Sequence, residues 1–169
     1  PELAFIEDVK KKGVEIVGEL EIAYRIGEGS YVAITGTNGK TTTTTLVGEI
    51  FTLSKRKTHV VGNIGTAVIS ASAYTNESDW LVTETSSFQL ETTNEFHPVV
   101  SAILNLTPDH LNRHHTLEGY GAAKAKVFAN QTEDEYLIIN RDDELCYALA
   151  EGCRAKVVPF SRRRELDFG

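Results

Sequence analysis

Short runs of apolar residues alternate with longer amphipathic segments along most of the chain. The apolar runs predict strands at 14–17, 31–35, 58–61, 79–84, 99–106, 136–140 and 155–160. The amphipathic segments predict helices at 5–12, 20–26, 39–54, 66–74, 116–130 and 142–151. This alternation predicts an α/β fold, in which a mostly parallel sheet carries helices on both faces. Because such sheets bind ligands beyond the carboxyl ends of their strands, this edge is the expected place for chemistry.

The composition indicates a single globular domain. The chain has 169 residues, of which 41% are hydrophobic and 24% charged. Its net charge of −7 argues against a broad nucleic-acid surface, and no apolar run reaches the roughly 18 residues that a membrane span needs. Cys146 and Cys153 lack metal-ligand spacing, which indicates reduced thiols in a cytoplasmic protein. Since the chain begins at Pro1 and contains no Met, we expect it to be processed or part of a longer protein.

The segment GTNGKT, residues 36–41, follows a predicted strand and opens a predicted helix. Glycines let backbone N–H groups face a phosphate, and the helix presents its positive end to the anion. We expect Lys40 to reach the β- and γ-phosphates and the Thr41 hydroxyl to bind Mg²⁺. The loop is shorter than the usual eight-residue P-loop motif, because Ile34 stands where that motif begins with glycine. A plain strand-to-helix turn is the alternative. The expected phosphate-binding residues are Gly36, Thr37, Asn38, Gly39, Lys40, Thr41 and Thr42.

Five consecutive threonines, 41–45, begin this helix although threonine is a poor helix former. The cost is at most about 0.7 kcal/mol per residue, and charge-assisted contacts with phosphate exceed it. Thr41 and Thr42 lie in the first turn, where their hydroxyls can serve phosphate and metal. At least one of the three threonines that follow is expected to pack against the sheet.

Two further segments place polar side chains at strand ends. Glu84 ends a predicted strand, where a carboxylate beside a phosphate loop is a candidate Mg²⁺ ligand; a solvated strand-edge residue is the alternative. His110 follows another strand, where it can bind metal or phosphate with Asp109 orienting it, or lie in a helix-capping turn. His114 and His115 are expected at the surface.

Two weaker signals lie elsewhere. The turn GNIG, around Asn63, suggests that a ligand approaches the backbone closely, although many turns have this composition. Lys124 and Lys126 lie on the predicted helix in YGAAKAKVF, and their spacing indicates no more than a solvated helix face.

Taken in order, these segments resemble the central ATPase domain of the Mur ligases, the family that assembles the peptide of bacterial cell-wall precursors. TGTNGKTT, GNIG, DHLNRH and YGAAK all match the family pattern, and SSFQLE resembles the branch that adds D-glutamate. The opening KKGVEIVGELEIAYR resembles the end of the N-terminal, UDP-binding domain. Residues 1–29 are therefore expected to be the end of that domain and a linker. Residues 30–169 are expected to be a truncated central ATP-binding domain, with the C-terminal domain absent.

The resemblance implies an ATP-dependent amide ligation that adds D-glutamate to UDP-N-acetylmuramoyl-L-alanine through an acyl phosphate. It implies two Mg²⁺ ions, the first held by Thr41 and Glu84. The second is held by His110 and by Lys124, which the family carries as a carbamate. Lys40, His110 and Lys124 are the implied catalytic residues. Asn63 and Ser86 are the implied substrate residues.

The expected partners are ATP, D-glutamate and the UDP-sugar substrate, with no nucleic acid and no membrane, in a cytoplasmic monomer. We expect this chain by itself to lack ligase activity. Three alternatives remain. A P-loop GTPase is disfavoured because no N-K-x-D motif is present. A P-loop kinase is disfavoured because many of these use the longer loop and often have Asp where this chain has Glu84. A folylpolyglutamate synthase-like ligase is disfavoured by SSFQLE. A nucleotide-binding module without ligase chemistry is the third, and it could describe this chain alone.

Overall fold

The computed structural model describes residues 3–168, and its centre is a parallel sheet of six strands. The order across the sheet is β2-β3-β1-β4-β5-β6. Every neighbouring pair is parallel, which confirms the predicted α/β class. The strands are β1 Ser30–Thr35, β2 Thr58–Gly62, β3 Trp80–Glu84, β4 Val100–Ile103, β5 Tyr136–Asn140 and β6 Lys156–Phe160. The connections after β1 and β4 lead in opposite directions, so the crevice between their carboxyl ends is the expected ligand site.

Helices cover both faces of the sheet. They are α1 Ala4–Lys11, α2 Glu19–Ile26, α3 Lys40–Leu53, α4 Val68–Ser72, α5 Ser87–Leu90, α6 Leu111–His114, α7 Leu117–Ala125 and α8 Glu144–Ala148. A 3₁₀ turn, Lys126–Phe128, follows α7. The larger core includes fully buried side chains from α2, the sheet and the segment after α7, such as Leu20, Leu81 and Val127. Within residues 3–168, no helix has both the length and the apolar character that crossing a bilayer would require.

The opposite face of the sheet packs against α3. Val32, Ile34 and Val82 form the buried centre there, with Val47 and Phe51 of α3 packed on them. Beyond α3, a groove of about 470 Å³ lies over β4 and β5. This face is therefore less fully covered than the other.

The predicted strand at 14–17 is wrong, because the structure forms no strand over these residues. The Glu15 carboxylate accepts hydrogen bonds from Arg25, at 2.8 Å, and from the Asn94 amide, at 2.7 Å. These polar contacts hold the segment along α2 rather than at a sheet edge. The remaining predicted elements are present but mostly shorter. The strand expected at 99–106 ends at Ile103 because the next residues bond to the loop after β1.

Candidate nucleotide-binding site

The turn between β1 and α3 has the backbone geometry of a phosphate loop. Gly36 and Gly39 have φ values of 148° and 81°, in the region that favours glycine. A Cβ on Gly36 would lie 3.1 Å from Leu104 Cβ, so the loop also passes close to the segment after β4. Gly39 is the N-cap of the 14-residue α3, whose first N–H groups have no intrahelical acceptor. The predicted anion-binding geometry is therefore present.

Lys40 lies across this loop. Its ammonium donates to the carbonyl oxygens of Gly36, at 3.0 Å, and Thr37, at 2.9 Å. One of the last three threonines of the run is expected to be packed inside, and Thr44 is fully buried. Thr41 and Thr42 are exposed in the first turn, where a phosphate can reach them.

Thr41 and Glu84 meet across the carboxyl ends of β1 and β3. The Thr41 hydroxyl donates to Glu84 Oε2 at 2.8 Å, and the Asn63 amide donates to Glu84 Oε1 at 2.9 Å. Glu84 is 2% exposed, so both donors fix a buried carboxylate. A hydroxyl and a carboxylate are oxygen ligands of the kind that Mg²⁺ prefers, so this pair fits the ion.

Across residues 3–168, no cluster of three or more His, Cys, Asp and Glu side chains could hold a metal by itself. A Mg²⁺ ion here therefore needs oxygens from the nucleotide as well, which is the usual arrangement for this ion. Asn63, expected at the substrate, contacts Glu84 instead, and its substrate role stays a prediction.

Lys124 is buried, which contradicts the solvated helix face that its spacing indicated. It is 1% exposed, and its ammonium donates to the Gly36 carbonyl at 2.8 Å. The ammonium also lies 4.4 Å from the centre of the Tyr120 ring. Burial, and then the charge of Lys40, lower the pKa of Lys124 to about 7. Lys126 instead donates to the carbonyls of Glu91 and Thr93.

His110 lies at the beginning of α6 with a left-handed backbone, φ 52°. Its ring is 3.5 Å from the Asp109 carboxylate and 4.8 Å, between ring centres, from Phe88. The Tyr120 ring is 6.2 Å away. Because Tyr120 also contacts Lys124, the two residues implied for the second metal both lie near one aromatic ring.

The expectation that His114 lies at the surface is wrong. It is 9% exposed, and its Nε2 lies 3.0 Å from the Ser87 hydroxyl. Its Nδ1 lies 3.3 Å from Glu91, and its ring stacks on Phe88. The short helix α6 turns this side chain towards α5, and burial lowers the pKa of His114. His115 is exposed, as expected.

Ser86 begins α5 as a helix cap. Its hydroxyl accepts from the Gln89 N–H at 3.2 Å, while the Gln89 side chain accepts from the Ser86 N–H at 3.0 Å. This capping box gives Ser86 a local structural role. Its contact with substrate stays a prediction.

The sequence motifs do not identify Asn105 as a site residue, although it comes directly after the apolar run that ends at Leu104. Its side-chain oxygen accepts from the backbone N–H groups of Thr37, at 3.1 Å, and Asn38, at 2.8 Å. Its amide donates to the Asn38 carbonyl at 2.9 Å. One side chain thus holds the tip of the phosphate loop.

The parallel sheet, the short glycine loop and the Thr41–Glu84 pair together define a nucleotide-binding α/β domain. The Mur ligase middle domain matches residues 34–168. The chain belongs to this family, which confirms the resemblance of its motifs.

Relatives and solved structures agree with this assignment. A UDP-N-acetylmuramoylalanine–D-glutamate ligase of Clostridioides difficile (strain 630) is 53% identical over 169 residues, 99% of this chain and 38% of that protein. The chain thus spans a little over a third of the length of the curated relatives it matches. A solved UDP-N-acetylmuramoyl-L-alanyl-D-glutamate–2,6-diaminopimelate ligase is 25% identical, with TM-score 0.64 over 86% of this chain and 34% of its own. MurF ligase from Thermotoga maritima in complex with ADP, at 20% identity, shares the fold with TM-score 0.65 over 86% and 35%.

Proposed function

We propose that the protein carrying this chain adds D-glutamate to UDP-N-acetylmuramoyl-L-alanine in an ATP-dependent amide ligation. The observation that carries the ATP chemistry is the Thr41–Glu84 contact beside Lys40 at the start of α3. The name of the Clostridioides difficile relative supports D-glutamate as the added amino acid. The ADP named for the Thermotoga maritima structure supports a nucleotide as the ligand of this fold. A folylpolyglutamate synthase-like ligase is the alternative within the same reaction class.

In this proposal, the substrate carboxylate attacks the γ-phosphoryl group of ATP and becomes an acyl phosphate, with ADP leaving. The amine of D-glutamate then attacks the acyl carbon, phosphate leaves, and the amide forms. Such transfers depend on positioned charge more than on covalent help from the protein. Lys40 supplies that charge when its ammonium turns from the loop carbonyls to the phosphates. The N–H groups at the start of α3 hold the same phosphates.

Mg²⁺, when bound, screens the phosphate charge from the attacking carboxylate. Thr41 and Glu84 would hold the first ion, because their oxygens already converge and Asn63 orients the carboxylate. His110 and a carbamate on Lys124 would hold the second.

The Lys124 carbamate forms when the neutral amine attacks CO₂ and releases a proton. An ammonium has no lone pair for this step. Because burial lowers the pKa of Lys124 to about 7, a substantial share of the amine is neutral near pH 7. The carbamate then offers two oxygens, which are suitable Mg²⁺ ligands. The residue thus fits the role that the family resemblance implies.

Phosphate release by the full-length protein tests this function. We expect release to require ATP, UDP-N-acetylmuramoyl-L-alanine and D-glutamate together, with L-glutamate as the matched control, and a product heavier by one glutamyl residue. Release that does not depend on D-glutamate, or that requires a folate substrate, would contradict the proposal. The chain alone is expected to bind nucleotide without D-glutamate-dependent turnover. The predicted domain boundaries, cytoplasmic location and monomeric state stay predictions.

A further inference from the structure

The loop after β4, residues 104–107, lies against the phosphate loop. The Asn105 side-chain oxygen accepts hydrogen bonds from the backbone N–H groups of Thr37 and Asn38. The N–H groups at the start of α3, which have no intrahelical acceptor, are therefore the ones available to phosphate. A second contact lies beside it, because the Thr107 N–H donates to the Thr37 hydroxyl at 3.0 Å and that hydroxyl donates to the Thr107 carbonyl. The shape of the phosphate loop therefore depends on where the 104–107 loop lies.

The same loop is held from its other side by the end of β5. The Asn140 amide donates to the Leu104 carbonyl at 2.9 Å. The Asp143 carboxylate accepts from the Leu106 N–H through Oδ2, at 2.7 Å, and from the Cys146 N–H through Oδ1, at 2.9 Å. The second of these bonds is the N-cap of α8. One carboxylate thus joins the start of α8 to the loop that supports the nucleotide site.

We propose that Asp143 and Asn105 are positioning residues for the nucleotide. Asp143 holds the 104–107 loop, and Asn105 transmits that position to the tip of the phosphate loop. The inference rests on the proposed function, since it assumes that the loop at 36–41 binds the phosphates of ATP.

The contacts of the Asp143 carboxylate and the place of the 104–107 loop support this role. A carboxylate that accepts a backbone hydrogen bond makes a charge-assisted contact, stronger than one between neutral groups. Leu106 is 5% exposed, so its N–H has little access to water if Asp143 is removed. A shift of about 1 Å in groups that bind a reacting phosphate can reduce the rate by about 100-fold. The 104–107 loop also leads directly to His110, so its position affects both sides of the site.

Asp143→Ser in the full-length protein separates the two functions of the carboxylate. Serine is a good N-cap and can keep the bond to the Cys146 N–H, but its single hydroxyl does not also reach Leu106. We expect the KM for ATP to rise by about tenfold or more, with the KM for the UDP-sugar substrate close to wild type. The melting temperature should fall by only about a few degrees, because the Leu106 N–H loses its acceptor. Asp134→Ser is the matched control, because Asp134 is exposed in the turn before β5.

A double-mutant cycle with Asn105→Ala tests whether Asp143 acts through this loop. We expect Asn105→Ala to raise the KM for ATP at least as much, and the double variant to be no worse than Asn105→Ala alone. Coupled residues show this non-additivity, whereas independent structural damage multiplies.

The proposal is overturned if Asp143→Ser leaves the KM for ATP within about twofold of wild type. It is also overturned if the two changes multiply, or if every KM rises while the melting temperature falls, as in general unfolding. The ADP affinity of each variant, measured by calorimetry, tests the positioning role independently of turnover. If the wild-type protein binds ADP but shows no D-glutamate-dependent reaction, the proposed function fails. A tenfold weaker ADP affinity in Asp143→Ser would then still support the positioning role.

Discussion

Lys40 is the residue whose charge the proposed reaction uses most directly. Its ammonium sits between two loop carbonyls, so a small rotation of a flexible side chain brings it to the phosphates. Lysine acts there as a compact point charge, which suits a polyphosphate. We expect the loop to keep its backbone without that charge, because Gly36 and Gly39 have positive φ values and Asn105 holds the tip of the loop.

We predict that Lys40→Ala in the full-length protein lowers kcat/KM for ATP by at least about 100-fold, or roughly 2.7 kcal/mol of transition-state stabilisation. Steady-state phosphate release measures the effect. Lys55→Asn is the control, because Lys55 is exposed with a left-handed backbone that asparagine tolerates. A loss below tenfold would mean that Lys40 is peripheral to the phosphates.

Lys124 differs from Lys40 in that its chemistry depends on burial. A solvated lysine stays protonated at neutral pH, whereas the buried amine beside Lys40 has a pKa of about 7. The Tyr120 ring and the Gly36 carbonyl retain the side chain at the phosphate loop.

We predict that Lys124→Ala sharply reduces ligase activity and that acetate restores part of it, because acetate supplies the carboxylate oxygens that the carbamate would offer Mg²⁺. Phosphate release against acetate concentration measures the rescue. Lys126→Ala is the comparison, with a much smaller loss of activity expected. Since Lys126 binds the carbonyls at the end of α5, the melting temperature of Lys126→Ala should be measured in parallel. An inactive Lys124→Ala variant that no short carboxylate rescues would remove the main support for the carbamate.

At the scale of elements, β2 and β3 must approach closely at Gly62 for the site to form. Gly62 has φ 112°, and a Cβ there would lie 2.2 Å from the Glu84 carbonyl oxygen. Gly65, in the same GNIG turn, has φ 61°, but a Cβ there would meet no atom within 4 Å. A substitution at Gly65 therefore tests backbone strain alone, whereas a substitution at Gly62 adds a steric clash with Glu84.

We predict that Gly62→Ala destabilises the protein by at least about 3 kcal/mol and lowers activity, because β2 must move away from Glu84. Gly65→Ala is expected to cost about 1 kcal/mol, from strain alone. Urea unfolding of both variants measures the difference. Equal losses in the two variants would show that the close approach at Gly62 contributes nothing.

Hydrophobic periodicity predicts the sheet because its strands are short apolar runs, of which the central ones, β1, β3 and β4, are almost wholly buried. It does not predict α5 and α6, whose four residues are too short for a periodic signal and depend on local contacts such as the Ser86 cap. It wrongly predicts a strand at 14–17, where an ion pair with Arg25 decides the conformation. Strand order is also not contained in the periodicity.

Some features of the candidate site can likewise be predicted from the sequence, and others cannot. Thr41 and Glu84 are predictable as neighbours because the carboxyl ends of adjacent parallel strands meet. The burial of His114 and Lys124 and the contacts of Asn105 depend on how loops pack. No spacing rule carries that information.

At the scale of the whole molecule, α2 is joined to the body by a buried carboxylate. Glu21 is fully buried and accepts hydrogen bonds from the backbone N–H groups of Asn94, Glu95 and Phe96, and from Arg25. Burial by itself acts to raise the pKa of Glu21. These four donors outweigh burial and leave the pKa below its ordinary value. The charged form of Glu21 therefore stabilises the docking of α2.

We predict that Glu21→Gln lowers the free energy of unfolding by about 1–3 kcal/mol at pH 7, because one amide oxygen cannot satisfy the donors that the carboxylate accepts. Glu28→Gln, at an exposed position, is the control.

The stabilisation by Glu21 depends on pH because its pKa is lower in the folded protein than in the unfolded chain. The stabilisation is fully present above the unfolded pKa, about 4.5, and is lost as the pH falls through the lower folded pKa. Unfolding measured from pH 7 to pH 3 should therefore show the wild type losing its advantage over Glu21→Gln as the pH falls. A difference that stays constant over this range would mean that packing around residue 21, and not the carboxylate charge, holds α2 against the 94–96 segment.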